Sequence, residues 1–292
     1  MSLAETLTAA RTRLGDASLT FRCCDTEFVV RTTGYRADAA AERARRTALS
    51  LEAELDAFDP ESAVARLNRT GSVENEHVAR LVRRGLEYAE RTGGVFDIRQ
   101  GAVEHDLKAY LRGDRADLAA SFDTDSDGAV GVDGDRVDAE VELDLNGLAK
   151  GYIVDRAAAA AAGPGRRGFV SGGGDMSPPT GPVAVESPYG DARPLRVLET
   201  DWNVATSGGY RRRRGGVDHV YDPTTQRRGS RHESVTVIAK RDCTEADALA
   251  TTLAAAPLSD ALELAADWPD LEAFVVHDGI FHATEGFDAH VA

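Results

Sequence analysis

Cysteine, lysine and long apolar runs are all scarce in this chain of 292 residues. There are three cysteines, Cys23, Cys24 and Cys243. Adjacent cysteines rarely pair and no Cys-x-x-Cys spacing occurs, which argues against a disulfide framework and against a zinc site. Lysine occurs only at Lys108, Lys150 and Lys240, although Lys and Arg together number 34. Asp and Glu number 49, for a formal net charge of -15. An acidic surface in which arginine replaces lysine suits solubility at high salt, where self-repulsion is screened. It offers no basic face to neutralise phosphates, which argues against nucleic acid as the main partner. The one dense basic cluster is Arg211–Arg214. No span of about 18 apolar residues occurs, and Met1-Ser-Leu-Ala-Glu-Thr-Leu-Thr8 lacks a basic region followed by an apolar core. Neither a membrane helix nor a signal peptide is expected, and the expected location is cytoplasmic.

What is present is an ordinary globular composition, 42% hydrophobic, with length for one large domain or two smaller ones. Residues 1–17 read as a polar, helical lead-in, and residues 18–292 as one unit with no repeat and no clear linker. Alternation predicts a strand over Ser18–Thr32. A long amphipathic helix follows from Asp38, a candidate N-cap, to Phe58. A second short helix starts near Ser62 or Asp59. A third covers His77–Thr92 and ends at Gly93-Gly94, directly before Val95-Phe96-Asp97. Residues 101–140 are acidic and weakly patterned. Asp123-Thr-Asp-Ser-Asp-Gly-Ala129 imitates the start of a calcium loop, but Gly134 stands at the twelfth position where a Glu is needed, so an EF-hand is rejected. Strands are expected from Gly168 into a glycine turn, within 181–200, over Trp202–Tyr210 with a hydroxyl-and-glycine corner at its end, and at Glu233–Lys240. A helix opening at Asp242, another over Leu258–Ala266 and a strand pair within Leu271–His282 complete an α+β pattern.

The stretch Val141-Glu-Leu-Asp-Leu-Asn-Gly147 alternates like a half-buried strand and then breaks at glycine. From Leu148 through the alanines to Ala162 the spacing is helical. Lys150 falls in the first turn, where a cation does nothing for the helix dipole but sits well beside a phosphate. An ordinary strand–turn–helix with a solvated lysine explains the same residues. Gly172-Gly-Gly174 before Asp175 permits either a close approach of the backbone to a ligand or a plain tight turn. His219, ahead of Tyr221-Asp-Pro223, is a loop histidine of either surface or functional use. Asp247 and Thr251 share a helix face at i, i+4. They read either as oxygen ligands for a hard cation or as a capped helix start with a back-bonded threonine.

Taken in order, these stretches resemble the ApbE family of flavin transferases. The resemblance rests on Phe58-x-x-x-Ser62-x-x-x-x-Leu67-Asn68, Thr92-Gly-Gly-Val-Phe-Asp97 and Asp144-Leu-Asn-Gly-Leu-Ala-Lys-Gly-Tyr-x-Val-Asp155. It continues through Ser171-Gly-Gly-Gly-Asp175, Ala205-Thr-Ser-Gly208, His219-Val-Tyr-Asp-Pro223 and Ala246-Asp-Ala-Leu-Ala-Thr251. It implies an α+β fold with antiparallel sheets and packed helices in two joined halves around an FAD cleft. It implies a Mg²⁺-dependent enzyme that cleaves FAD, moves FMN to a Thr or Ser hydroxyl of a target protein and releases AMP. The target would carry a Ser/Thr-Gly-Ala-Ser/Thr motif. By the same resemblance Asp247, Thr251 and the Gly147 carbonyl would bind Mg²⁺, and His219 would accept the proton of the target hydroxyl. Phe58, Val95, Phe96, Asp97, Asp144, Lys150 and Tyr221 would contact FAD. Cys24-Asp25-Thr26 stands where many relatives have Met-Gly-Thr. An FAD pyrophosphatase and a non-catalytic FAD-binding protein are the alternatives with the same contacts.

Overall fold

Residues 14–118, 128–164, 166–209 and 214–292 are described by the structure, a computed structural model. Residues 1–13 of the expected lead-in, Asp123–Asp127 of the calcium-like stretch and Arg211–Arg213 of the basic cluster lie outside them. The framework is an eight-stranded sheet, antiparallel at every pairing. Its strands in chain order are β1 (Leu14–Cys23), β2 (Thr26–Tyr35), β6 (Arg166–Gly172), β7 (Asp175–Met176), β10 (Asn203–Ser207), β13 (Ser234–Ala239), β14 (Leu271–His277) and β15 (Ile280–Ala283), and they are neighbours in that order. Residues 14–17, expected in the lead-in, are thus the start of β1.

Helices cover one face. α1 (Ala37–Leu55) lies on β1 and β2, α5 (Asn146–Ala161) on β6, α6 (Cys243–Ala255) on β10 and β13, and α7 (Leu258–Asp267) on β14. α1 packs on α5 and α5 on α6, so these three form a continuous layer. Its alanine-rich contact faces (Ala40, Ala41, Ala44 and Ala48 of α1, Ala157 and Ala161 of α5) are fully buried, since small side chains let helices sit close. On the opposite face a ribbon of β8 (Val183–Val185) and β9 (Arg196–Leu198) covers the sheet. Alternation divides β13 accordingly. Val235, Val237 and Ala239 join the helix-side core, whereas Ile238 joins Val183, Leu198, Val204, Phe274 and Phe287 on the other side. Every residue of β13 is buried.

The remaining elements build the second half. They are α2 (Ala63–Thr70), α3 (Glu76–Arg91), α4 (Gly101–Arg112), and a three-stranded sheet ordered β3-β5-β4 from Ser72–Glu74, Arg136–Ala139 and Val130–Asp133. A two-stranded ribbon, β11 (Tyr221–Asp222) with β12 (Arg227–Arg228), stands apart. Val73, Leu81 and Val137 of this half share one hydrophobic core with Val170 and Val235 of the large sheet. No helix among the described residues is long and apolar enough to cross a membrane.

Several expectations are corrected. α1 begins after Arg36, whose left-handed backbone (φ 53°) replaces the expected Asp38 cap. Ser62 rather than Asp59 caps α2, accepting from the Ala65 N–H at 2.9 Å. The weakly patterned region holds α4, whose apolar stripe of Val103 and Leu107 is too narrow to stand out in the sequence. The expected strand at 141–145 pairs with no other strand among the described residues. Its backbone is satisfied by a side chain instead. Asn68 accepts from the Leu143 N–H and donates to the Leu143 carbonyl, both at 2.9 Å, while the Asp144 N–H donates to the Ile98 carbonyl. Asn68→Ala would leave two main-chain groups of the fully buried Leu143 unpaired. We expect it to cost about 2–4 kcal/mol, read from urea denaturation; a change below about 0.5 kcal/mol would mean that the segment is held by other contacts.

Candidate active site

One cavity of ≈ 730 Å³ opens between the two halves. Its walls come from the β1–β2 turn, the end of α1, the segment 95–98, α4, the start of α5, the β6–β7 turn, the end of β10, the loop 219–223 and α6. Phe58, Val95, Phe96, Asp97, Asp144, Gly147, Lys150, His219, Tyr221, Asp247 and Thr251 all line it. The cavity therefore brings together every residue that the family resemblance assigned to the site.

The contact between α5 and α6 sets the site's centre. Gly151 has no side chain, and a Cβ there would lie 2.4 Å from the Cys243 carbonyl oxygen and 2.8 Å from Asp247 Cβ. At this range the Gly151 N–H donates to Asp247 Oδ2 at 2.8 Å. In a regular helix that N–H serves the carbonyl four residues back, which is Gly147. Asp155, one turn further along α5, accepts from the Cys243 N–H (2.8 Å), the Thr244 N–H (2.9 Å) and the Thr244 hydroxyl (2.6 Å), so it holds the start of α6. Burial pushes the Asp155 carboxyl up to about 6 despite these donors. Lys150 Nζ donates to Asp247 Oδ1 at 3.2 Å and to Asp175 Oδ2. Asp175 is buried behind the turn at Gly173 and Gly174, whose φ of 61° and 110° favour glycine. Thr252, not Thr251, makes the back-bond along α6, to the Ala248 carbonyl at 2.8 Å. Asp247, Thr251 and Gly147 all line the cavity, and their carboxylate, hydroxyl and carbonyl oxygens are the kind of ligand a hard divalent cation takes. Asp247 Oδ1 already faces a positive charge, that of Lys150.

A second polar group forms the floor. Lys108 Nζ lies 2.6 Å from Asp144 Oδ2 and 3.0 Å from Glu104 Oε2, and His105 sits between Asp144 (3.4 Å) and Glu142 (3.5 Å). Asp144 also accepts from the Asn146 N–H and side-chain amide. Burial opposes charge on Asp144, but Lys108 and His105 outweigh it and hold the carboxyl far below the usual carboxylate range. Burial likewise opposes the His105 imidazolium, but the Asp144 and Glu142 carboxylates lift it to about 9. Phe58 is held by the edge of His105 on one side and the Arg112 guanidinium, 4.0 Å from its ring centre, on another. Asp97 is gripped by Arg99 through paired contacts of 2.9 Å.

The His219 loop is anchored by its neighbours. Asp218, fully buried, accepts from the Val220 N–H (2.9 Å) and the Ser230 N–H (2.9–3.0 Å). Asp222 accepts from the hydroxyls of Thr224 (2.6 Å) and Thr225 (2.5 Å). His219 itself is half-buried and faces the cavity.

The sequence pattern of the ApbE family matches residues 23–275. The chain belongs to the ApbE family. Among solved structures, the ApbE protein of Thermotoga maritima is 26% identical with a TM-score of 0.82, over 95% of this chain and 99% of that one. The flavinyl transferase ApbE of Pseudomonas stutzeri is 22% identical (TM-score 0.80, 96% and 99% covered). The flavin transferase ApbE of Vibrio cholerae is 19% identical (TM-score 0.79, 95% and 99% covered). No curated protein sequence is a match.

Among the cavity contributors of this ApbE chain that escaped the sequence reading are Glu104, Lys108, Leu111 and Arg112, all on α4. One signal pointed to them. Lys108 is among only three lysines, and two of the three, Lys108 and Lys150, line the cavity. Asp175, read only as the end of a glycine turn, is the buried partner of Lys150.

Because the folded state lifts His105 from 6.5 to about 9, its charge favours folding fully below about pH 6.5, and that contribution disappears as pH rises through about 9. His105→Gln should lower stability by up to about 3 kcal/mol near pH 6, with the gap to the parent closing by about pH 10. Denaturant titrations of both proteins across that range measure it; a gap independent of pH would remove the charged His105 from the account.

Proposed function

We propose that this ApbE-family chain is a Mg²⁺-dependent FAD:protein FMN transferase. The observation that carries the reading is the convergence, on one cavity, of a loop histidine, an all-oxygen donor set and an aromatic wall. Phe58, Val95, Phe96 and Tyr221 would bind the flavin ring, with Asp97, Asp144 and Lys150 as polar anchors, as a mostly apolar ligand pocket requires. Asp247, Thr251 and the Gly147 carbonyl would hold Mg²⁺, which when bound neutralises charge on the diphosphate. Lys150 stands at the start of α5 where a phosphate is favoured by ammonium and helix end alike.

In the proposed reaction the hydroxyl oxygen of an acceptor Thr or Ser forms a bond to the FMN phosphorus. The bond from that phosphorus to the bridging oxygen breaks, and AMP leaves with the bridging oxygen. The hydroxyl proton passes to His219, a base of suitable range near neutral pH. Asp218 and Asp222 position His219 by fixing the backbone on both sides of it. We take residues 18–292 as one catalytic unit, supported by the core that both halves share. The acceptor, with its Ser/Thr-Gly-Ala-Ser/Thr motif, is proposed to be met in the cytoplasm.

The test is incubation with FAD, Mg²⁺ and high salt, with and without a domain carrying that acceptor motif, following AMP release and acceptor mass together. AMP with an FMN-sized mass gain is the expected result. AMP and free FMN without labelling would favour a pyrophosphatase, and bound FAD without AMP a binding protein. Asp247→Ala should lower turnover at least about 100-fold, and unchanged turnover would remove it from the metal site. His219→Ala should slow transfer by about 10²–10⁴-fold; transfer at the parental rate would show that another group takes the proton.

A further inference from the structure

The turn between β1 and β2 sets two thiols and a carboxylate against one wall of the cavity. Cys23 and Cys24 have their Sγ atoms 3.7 Å apart, and Glu52 of α1 reaches the same point. The three ligand atoms all lie within 4.8 Å of one another, and no other trio of His, Cys, Asp or Glu among the described residues does this. Neighbouring residues of a strand point to opposite faces, which ordinarily keeps a Cys-Cys pair apart. Here Cys24 (φ 53°) and Asp25 (φ 56°) both take left-handed backbone, the signature of a two-residue type I′ hairpin turn. That turn ends the alternation at Cys24. The Cys24 N–H donates to Glu52 Oε1 at 2.5 Å, which fixes the carboxylate beside the pair.

We propose that Cys23, Cys24 and Glu52 form a binding site for a soft divalent cation such as Zn²⁺ or Cd²⁺, with the fourth position open to the cavity. The spacing suits it: two thiolates bound at about 2.3 Å to one tetrahedral ion stand about 3.7–3.8 Å apart. Thiolate ligands select soft ions over Mg²⁺, so this site and the oxygen set at Asp247 take different metals. Access is through the cavity, since Cys24 and Glu52 line it while Cys23 is buried behind them. A thiol must give up its proton to bind the ion, so uptake releases protons and affinity rises with pH. Cysteine spacing alone gives no zinc motif here; the third ligand comes from a helix 28 residues away in the chain.

The experiment titrates the reduced full-length protein with Cd²⁺ in excess Mg²⁺, which occupies hard oxygen sites. Thiolate-to-cadmium charge-transfer absorption reports binding. The expected result is one Cd²⁺ per chain, displaced by Zn²⁺ and bound more tightly as pH rises. Cys24→Ser should weaken it by more than the roughly 10–100-fold that changes to outer-shell partners cost. Glu52→Gln should weaken it with both thiols retained, and Cys243→Ala should leave it unchanged. Circular dichroism of each variant reports folding independently. Absence of charge-transfer absorption in the parent protein, or equal affinity in Cys24→Ser or in Glu52→Gln, would overturn the proposal.

Discussion

The close approach of two helices is the constraint from which the rest of the site follows. Because residue 151 has no side chain, α5 and α6 come near enough for a main-chain N–H of one to reach a carboxylate of the other. That single contact places Asp247 on the turn that carries Gly147 and Lys150. Asp155 secures the same pair of helices from the far side by capping the start of α6. Any larger side chain at 151 meets backbone rather than a flexible chain end, so the helices themselves would have to separate. The chemistry of the cavity thus depends on a packing distance.

Around this centre, buried charge is managed by pairing. Asp144, Glu104, Lys108 and His105 are each largely shielded from water, a costly condition for isolated ions, and each is met by an opposite charge. Lys150 is likewise set between Asp175 and Asp247. In a chain with a large excess of acid, the few lysines are concentrated where a compact, strongly localised positive charge is useful. Arginine, with Lys240, carries the positive charge on the outer surface.

Much of this was legible in the sequence because the site is made of short, rigid corners. Glycine turns, Asp-Pro corners and a capped helix start have local signatures, and the residues at Thr92–Asp97, Asp144–Asp155, His219–Pro223 and Asp247–Thr251 fall at such places. What was not legible depended on partners distant in the chain. Val141–Leu145 alternates like a strand, yet its hydrogen bonds go to the Asn68 side chain and to a loop. α4 lies in a stretch that reads as acidic and weakly patterned because only Val103 and Leu107 are fully buried in its small core, shared with Tyr221. The role of Asp175 required knowing that its turn faces the start of α5. Periodicity reports burial along one element, whereas these assignments required knowledge of which elements meet.

The wall of the cavity begins at Arg22 and ends at Thr252, and β2 pairs with β6 across more than a hundred intervening residues. A chain emerging from the ribosome therefore has no partial version of this pocket to offer. The first hairpin must wait for its neighbour in the sheet, and the carboxylate on α6 arrives last of the central groups. Long-range pairing of this kind slows folding and leaves strand edges uncovered in the meantime. It also means that the His219 loop and the Asp247 face of α6 come together across the cavity only once the chain has been made through Thr252.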